Sequence, residues 1–84
     1  MKSIQEILNR IRWDKDYANA DFTIGYYDRM EDRLILVPFR ELSFDEEDHF
    51  CFQLVDEEGV THTIPFHRIK QLYKNGECIW QRDV

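Results

Sequence analysis

Glycine and proline are scarce in this chain, three and two residues of 84, and Gly25, Gly59 and Gly76 are spaced neither as G-x-G-x-x-G nor as a Walker loop. Nucleotide binding through a backbone phosphate cradle is thereby excluded. The two cysteines, Cys51 and Cys78, form no C-x-x-C. That removes the usual zinc-ribbon spacing and leaves too few thiols for a disulfide scaffold, so both are expected to be reduced core thiols. No window approaches eighteen apolar residues, and the opening M-K-S-I-Q-E-I-L-N-R has no apolar signal region, so a cytoplasmic location away from the membrane is expected. Positive charge is also in deficit: Lys and Arg number 11 against 17 Asp and Glu, a formal charge of −6. This charge balance argues against binding to duplexes or lipid surfaces by charge alone and leaves room for a local basic site.

Catalytic signatures are equally thin. Ser3 reads as a helix cap and Ser43 as a loop residue, with no G-x-S-x-G elbow. His49, His62 and His67 have no partner ligand at metal spacing, so no metal or cofactor is expected. The segments His49-Phe50-Cys51, His62-Thr63-Ile64 and His67-Arg68-Ile69 lack the paired H-x-T or H-x-S of two-histidine phosphoesterases. The acidic run Asp45-Glu46-Glu47-Asp48 reads as a solvated loop, since like charges packed this closely favour water.

What the chain does have is aromatic bulk: six Phe, four Tyr and two Trp make 14% of the residues, enough for residues 1–84 to form one small domain with a true core. Ser3-Ile4-Gln5-Glu6 has the form of a capping box, and Ile4, Ile7, Leu8 and Ile11 follow as one helical stripe of about three turns. Strands follow. Phe22, Ile24 and Tyr26 alternate over 21–29, and 33–39 returns as a hairpin partner that is apolar on both faces until Pro38 ends its ladder. Between Arg40 and Phe44 the pattern fits a helical turn or a loop equally. Phe50, Phe52 and Leu54 share a face over 49–56, and Val60 to Ile64 pairs back after Glu58-Gly59. The expected fold is α+β: one N-terminal helix packed on a curled, partly closed antiparallel sheet of about six strands, with both-face apolarity favouring barrel-like closure over a flat sheet.

The most informative stretch runs from Thr63 to Arg82. Asn75-Gly76 tolerates the two positive φ angles of a type I′ turn and lies between runs rich in Ile, Leu, Tyr and Trp, which predicts a tight hairpin. Counting out from the turn pairs Lys74 with Glu77, Tyr73 with Cys78, Leu72 with Ile79, Gln71 with Trp80 and Ile69 with Arg82. Pro65 cannot donate to a ladder and holds Ile64 extended, so the chain turns a corner here and sets His67 and Arg68 at a strand mouth. An Arg fork suits phosphate or carboxylate, and imidazole donates a hydrogen bond or exchanges a proton. The competing explanation is a structural corner whose cations meet local carboxylates. Arg82 and Trp80 on the last strand, with Arg12, Trp13 and Arg29 from the first half, extend the candidate constellation. Guanidinium groups beside an aromatic suit an RNA end, where base or ribose stacks and the fork reads a terminal phosphate. Trp13 and Trp80 equally suit a core or core edge.

These residues also resemble a known family. The set I-L-N-R-I-R-W-D at 7–14, Tyr27-Asp28-Arg29, and above all I-P-F-H-R-I at 64–69 leading into N-G-E-C-I-W-Q-R at 75–82 are similar to the RNA cyclic group end recognition domain, formerly a domain of unknown function. The likeness covers about residues 4–82. It implies a non-catalytic module in RNA processing, repair or ligation that recognises ends carrying 2′,3′-cyclic phosphate, alongside an RNA ligase or phosphoesterase. Carried over by position, His67, Arg68, Trp80 and Arg82 match the strongest part of the pattern, and Arg12, Trp13, Asp14, Asp28 and Arg29 the weaker part. On this resemblance Arg68 and Arg82 contact the terminal phosphate, His67 donates a hydrogen bond, and Trp80 or Trp13 stacks. Two other functions remain open: a domain that binds an acidic protein partner, and a phosphodiesterase using His67 with His62 or Asp28.

Overall fold

A computed structural model describes residues 3–82. The helix α1 spans Ile4–Trp13 and begins as the capping residues require, with Ser3 extended and its Oγ accepting from the Glu6 N–H. Ile4, Leu8 and Ile11 are buried in the core, and Ile7 packs at its edge. Asp14 closes the helix through its N–H to the Arg10 carbonyl.

The fold is α+β, with six antiparallel strands among the described residues: β1 Phe22–Asp28, β2 Arg33–Pro38, β3 Cys51–Val55, β4 Thr61–Pro65, β5 Ile69–Lys74 and β6 Glu77–Gln81. Among the described residues they do not form one curled sheet, and no barrel closes. Four strands order as β2-β1-β5-β6, while β3 and β4 form a separate two-stranded sheet. The cause lies in two matching corners. Val37-Pro38-Phe39-Arg40 and Ile64-Pro65-Phe66-His67 each end a strand at a proline and wind into a 3-10 turn, Phe39–Glu41 and Phe66–Arg68. Each turn closes on itself, by Leu42 N–H to Phe39 O and by Ile69 N–H to Phe66 O. The chain leaves the large sheet at the first corner and returns at the second, so β3–β4 is set apart as an insertion. The segment between Arg40 and Phe44, open from sequence, therefore begins as a helical turn.

The two corners meet through aromatic rings. Phe44 lies 5.6 Å from Phe39 and 6.1 Å from Phe66, and Phe66 stacks on Phe52 at 6.2 Å. Phe52, Ile24, Ile69 and Leu72 are wholly buried beneath them. Phe50, expected on the same face as Phe52, falls before β3 and stands 72% exposed. The cysteines are not core thiols: Cys51 is half-buried and Cys78 exposed, both free.

The terminal hairpin follows the predicted register only near its turn. Asn75 and Gly76 have φ of 51° and 84°, and Lys74 pairs with Glu77 and Tyr73 with Cys78. Ile79 then bulges, so that Leu72 pairs with Trp80 and Gln71 with Gln81. The bulge moves Trp80 to the Leu72 face, where it joins the core at 9% exposure. A second irregularity, opposite Gly25 and Tyr26, leaves Lys70 of β5 out of the β1 register.

Candidate functional site

The site is built on the Pro65 corner. Pro65 (φ −65°, ψ 145°) directs the chain out of β4, and the Phe66 N–H donates to the Phe50 carbonyl at 2.8 Å. With its ring held by Phe44 and Phe52, Phe66 fixes the turn from the core side, and the next two residues, His67 and Arg68, line surface clefts. Pairing of Tyr26 with Ile69 carries the far end of β1, and Arg29 beyond it, to the same corner.

Arg29, His67, Arg68 and Lys70, with Tyr27, line a cleft of about 240 Å³. In a chain of net charge −6, no carboxylate among the described residues lines it. Among the described residues, no ion pair or hydrogen bond engages the side chains of these four cationic or imidazole groups. Tyr27 is anchored by its hydroxyl, which donates to the Asp32 carboxylate; that bond, foremost, holds the phenol above its usual pKa. Such a cleft offers an Arg fork, a second guanidinium, an ammonium and an imidazole to one small anion.

His67 is also a wall of a second groove, about 500 Å³, that runs from the start of α1 past Phe66 to Trp80 and Arg82. Among the described residues, no carboxylate lines this groove either. The Arg82 guanidinium lies 4.7 Å over the Trp80 ring, and its Nε is buried with no hydrogen-bond partner among the described residues. Gln5, from α1, lines the groove and donates its Nε2 to the His49 carbonyl at 2.8 Å.

Negative charge is gathered elsewhere. A cavity of about 610 Å³ between the β1–β2 hairpin and β3–β4 is lined by Asp28, Glu31, Glu41, Asp56 and Glu57, and also by Arg68. His62 lines this cavity and lies 2.7 Å from Asp56 Oδ2. That bond, with the Val60 and Glu58 N–H groups, draws the Asp56 carboxyl below its ordinary pKa. His62 and Asp28, the groups a phosphodiesterase would need beside His67, thus line the acidic cavity, and His67 lines the cationic clefts.

The family described as the MJ1316 RNA cyclic group end recognition domain matches residues 1–82. This chain belongs to that family. Relatives include the UPF0248 protein MmarC5_1387 of Methanococcus maripaludis strain C5, 33% identical over 82 residues that cover 94% of this chain and 97% of the relative. The UPF0248 protein MMP0286 of strain S2 is also 33% identical, and MmarC7_1289 of strain C7 is 29% identical, with the same coverage. No solved structure matches.

In this member of the MJ1316 family the corner brings together four of the seven candidates directly, Arg29, His67 and Arg68 in the cleft and Arg82 with His67 in the groove. Trp80 lines the groove but is a core residue. Arg12 and Trp13 line neither cleft nor groove: the Arg12 guanidinium sits 4.6 Å over Phe44 and 5.5 Å over Trp13, and Trp13 is 75% exposed at the end of α1. Sequence reasoning missed Lys70. Its signal was local, since Arg68 and Lys70 flank the buried Ile69. Gln5 carried no signal beyond its place on the polar side of α1.

Proposed function

We propose that this chain is a non-catalytic RNA-binding module that recognises RNA ends carrying a 2′,3′-cyclic phosphate or a related terminal phosphate. It serves RNA processing or repair in the cytoplasm, beside a ligase or phosphoesterase. The observation that carries this is the cleft of Arg29, His67, Arg68 and Lys70, lined by no carboxylate among the described residues, in an otherwise acidic protein. The family description, which names RNA cyclic group ends, supports the same ligand.

Each group has a chemical task. Arg68 and Arg29 present planar forks to the non-bridging phosphate oxygens, and Lys70 adds a compact charge. The His67 ring N–H donates to a bridging or hydroxyl oxygen. The scale suits an end: one small cleft accepts one phosphoryl group, while the acidic remainder of the surface disfavours a long polyanion. A titration at low salt tests this, with short RNAs ending in 2′,3′-cyclic phosphate, 2′-phosphate, 3′-phosphate or hydroxyl, read for binding and for intact RNA. The expected result is preference for the cyclic end, lost in Arg68→Ala, with the RNA unchanged. Equal binding of the hydroxyl end would overturn the proposal, and turnover would make the protein an enzyme.

A further inference from the structure

We propose that the base of the terminal nucleotide stacks on the guanidinium of Arg82, not on the indole of Trp80, and that the site therefore holds one whole nucleotide. This rests on the RNA-end function above. Trp80 is a core residue at 9% exposure, paired with Leu72 after the Ile79 bulge. The Arg82 guanidinium covers its ring at 4.7 Å. A base entering the groove therefore meets Arg82 first.

A guanidinium has two faces. One lies on the indole here, where cation–π attraction holds it flat. The other is a planar, weakly hydrated surface of the kind on which RNA bases stack. Among the described residues, the Nε of Arg82 is buried without a hydrogen-bond partner, and no carboxylate lines the groove to compete for the plane. The cationic cleft and this groove share His67 as a common wall. The two halves of a single nucleotide, phosphate in the cleft and base in the groove, can then be held at once. Gln5, whose Nε2 is committed to the His49 carbonyl, leaves its Oε1 as an acceptor for an amino or imino group on the base edge. The ligand class is a nucleoside 2′,3′-cyclic monophosphate, whether free or as the last residue of an RNA.

The test compares two ligands by calorimetry on the full chain: adenosine 2′,3′-cyclic monophosphate and the baseless methyl riboside 2′,3′-cyclic phosphate. Wild type, Arg82→Ala and Arg82→Lys are titrated, with circular dichroism to confirm folding. In wild type the base is expected to improve affinity about tenfold, a modest value for one stacked base. In both variants that ratio falls to less than about twofold; the lysine variant keeps the charge, so the collapse reports the lost plane. A ratio near one in wild type overturns the proposal while leaving end recognition intact, provided the baseless ligand binds. A ratio that survives in the variants while both ligands weaken together also overturns it, and assigns Arg82 to the phosphate. If neither small ligand binds, the one-nucleotide site is wrong, and the oligonucleotide titration decides end recognition separately.

Discussion

Leu72 and Trp80 face each other across β5 and β6, one residue past the bulged Ile79, and both are buried in the core. The same bulge turns Ile79 outward to 39% exposure. Leu72→Ala should therefore cost about 2–5 kcal/mol and Trp80→Ala about 3–5 kcal/mol. Ile79→Thr, which keeps a β-branched residue in place, should stay within about 0.5 kcal/mol. Urea unfolding of the three variants checks the order.

Asn75 has φ of 51°, receives the Asp21 N–H on its side-chain Oδ1 at 2.9 Å, and donates its own N–H to the Asp21 carbonyl at 2.7 Å. Replacement by Ala keeps the second bond, loses the first, and puts a less tolerant residue in the left-handed region. A loss of about 1–3 kcal/mol is expected, from the left-handed penalty and one hydrogen bond together. Asn75→Gly, which removes the conformational penalty but not the lost bond, should fall nearer wild type in the same unfolding assay.

The Asp56 carboxyl sits below its ordinary value of 3.8 because of the His62 bond and the Val60 and Glu58 N–H groups. A carboxylate with a depressed folded pKa stabilises the fold above its unfolded pKa, and that contribution is lost as pH falls through the folded value. The Tm advantage of wild type over Asp56→Asn should be level from about pH 5.5 to just above the ordinary carboxylate value, then shrink progressively as pH falls further. Thermal melts across that range provide the check; an advantage that grows on acidification would sink the assignment.

Lys70 is predicted to serve the phosphate beside Arg68. Lys70→Ala and Arg68→Ala should each weaken binding of a cyclic-phosphate RNA end by about tenfold or more, as loss of a charged hydrogen bond requires. Each should also flatten the dependence of log affinity on log salt by about 0.7. Arg12→Ala, whose side chain packs on Phe44, should change neither quantity.

Features set by local sterics were legible in the sequence. Ser3 capping, the Asn75-Gly76 turn and the Pro65 corner each follow from a few adjacent residues, and all three are present. Two bulges were not legible, because an Asn-Gly turn fixes only the nearest pairs; Ile79 and Lys70 slip out of register through packing of Trp80, Leu72 and Ile69 against the core. The division into two sheets was hidden for a different reason. Apolar residues on both faces of β2 fit barrel closure as well as an edge strand, yet Leu36 is 59% exposed. The Pro38 corner could have been read by analogy with Pro65, since each pairs a β-branched residue, Pro and Phe before a 3-10 turn. The meeting of Arg29 with His67 depends on β1–β5 pairing, a contact between distant parts of the chain that no local pattern encodes.

The ring cluster under the corner, with Phe44 edge-on to Phe66 and Phe66 stacked on Phe52, has a thermodynamic consequence. Because Phe66 is fixed by its ring and by its N–H to Phe50, an anion docking at His67 and Arg68 meets a backbone already in place. Only side-chain rotamers remain to be ordered, at about 0.5–1.5 kcal/mol each. Binding at this corner should therefore proceed with a small heat-capacity change, unlike the large negative value that accompanies coupled folding.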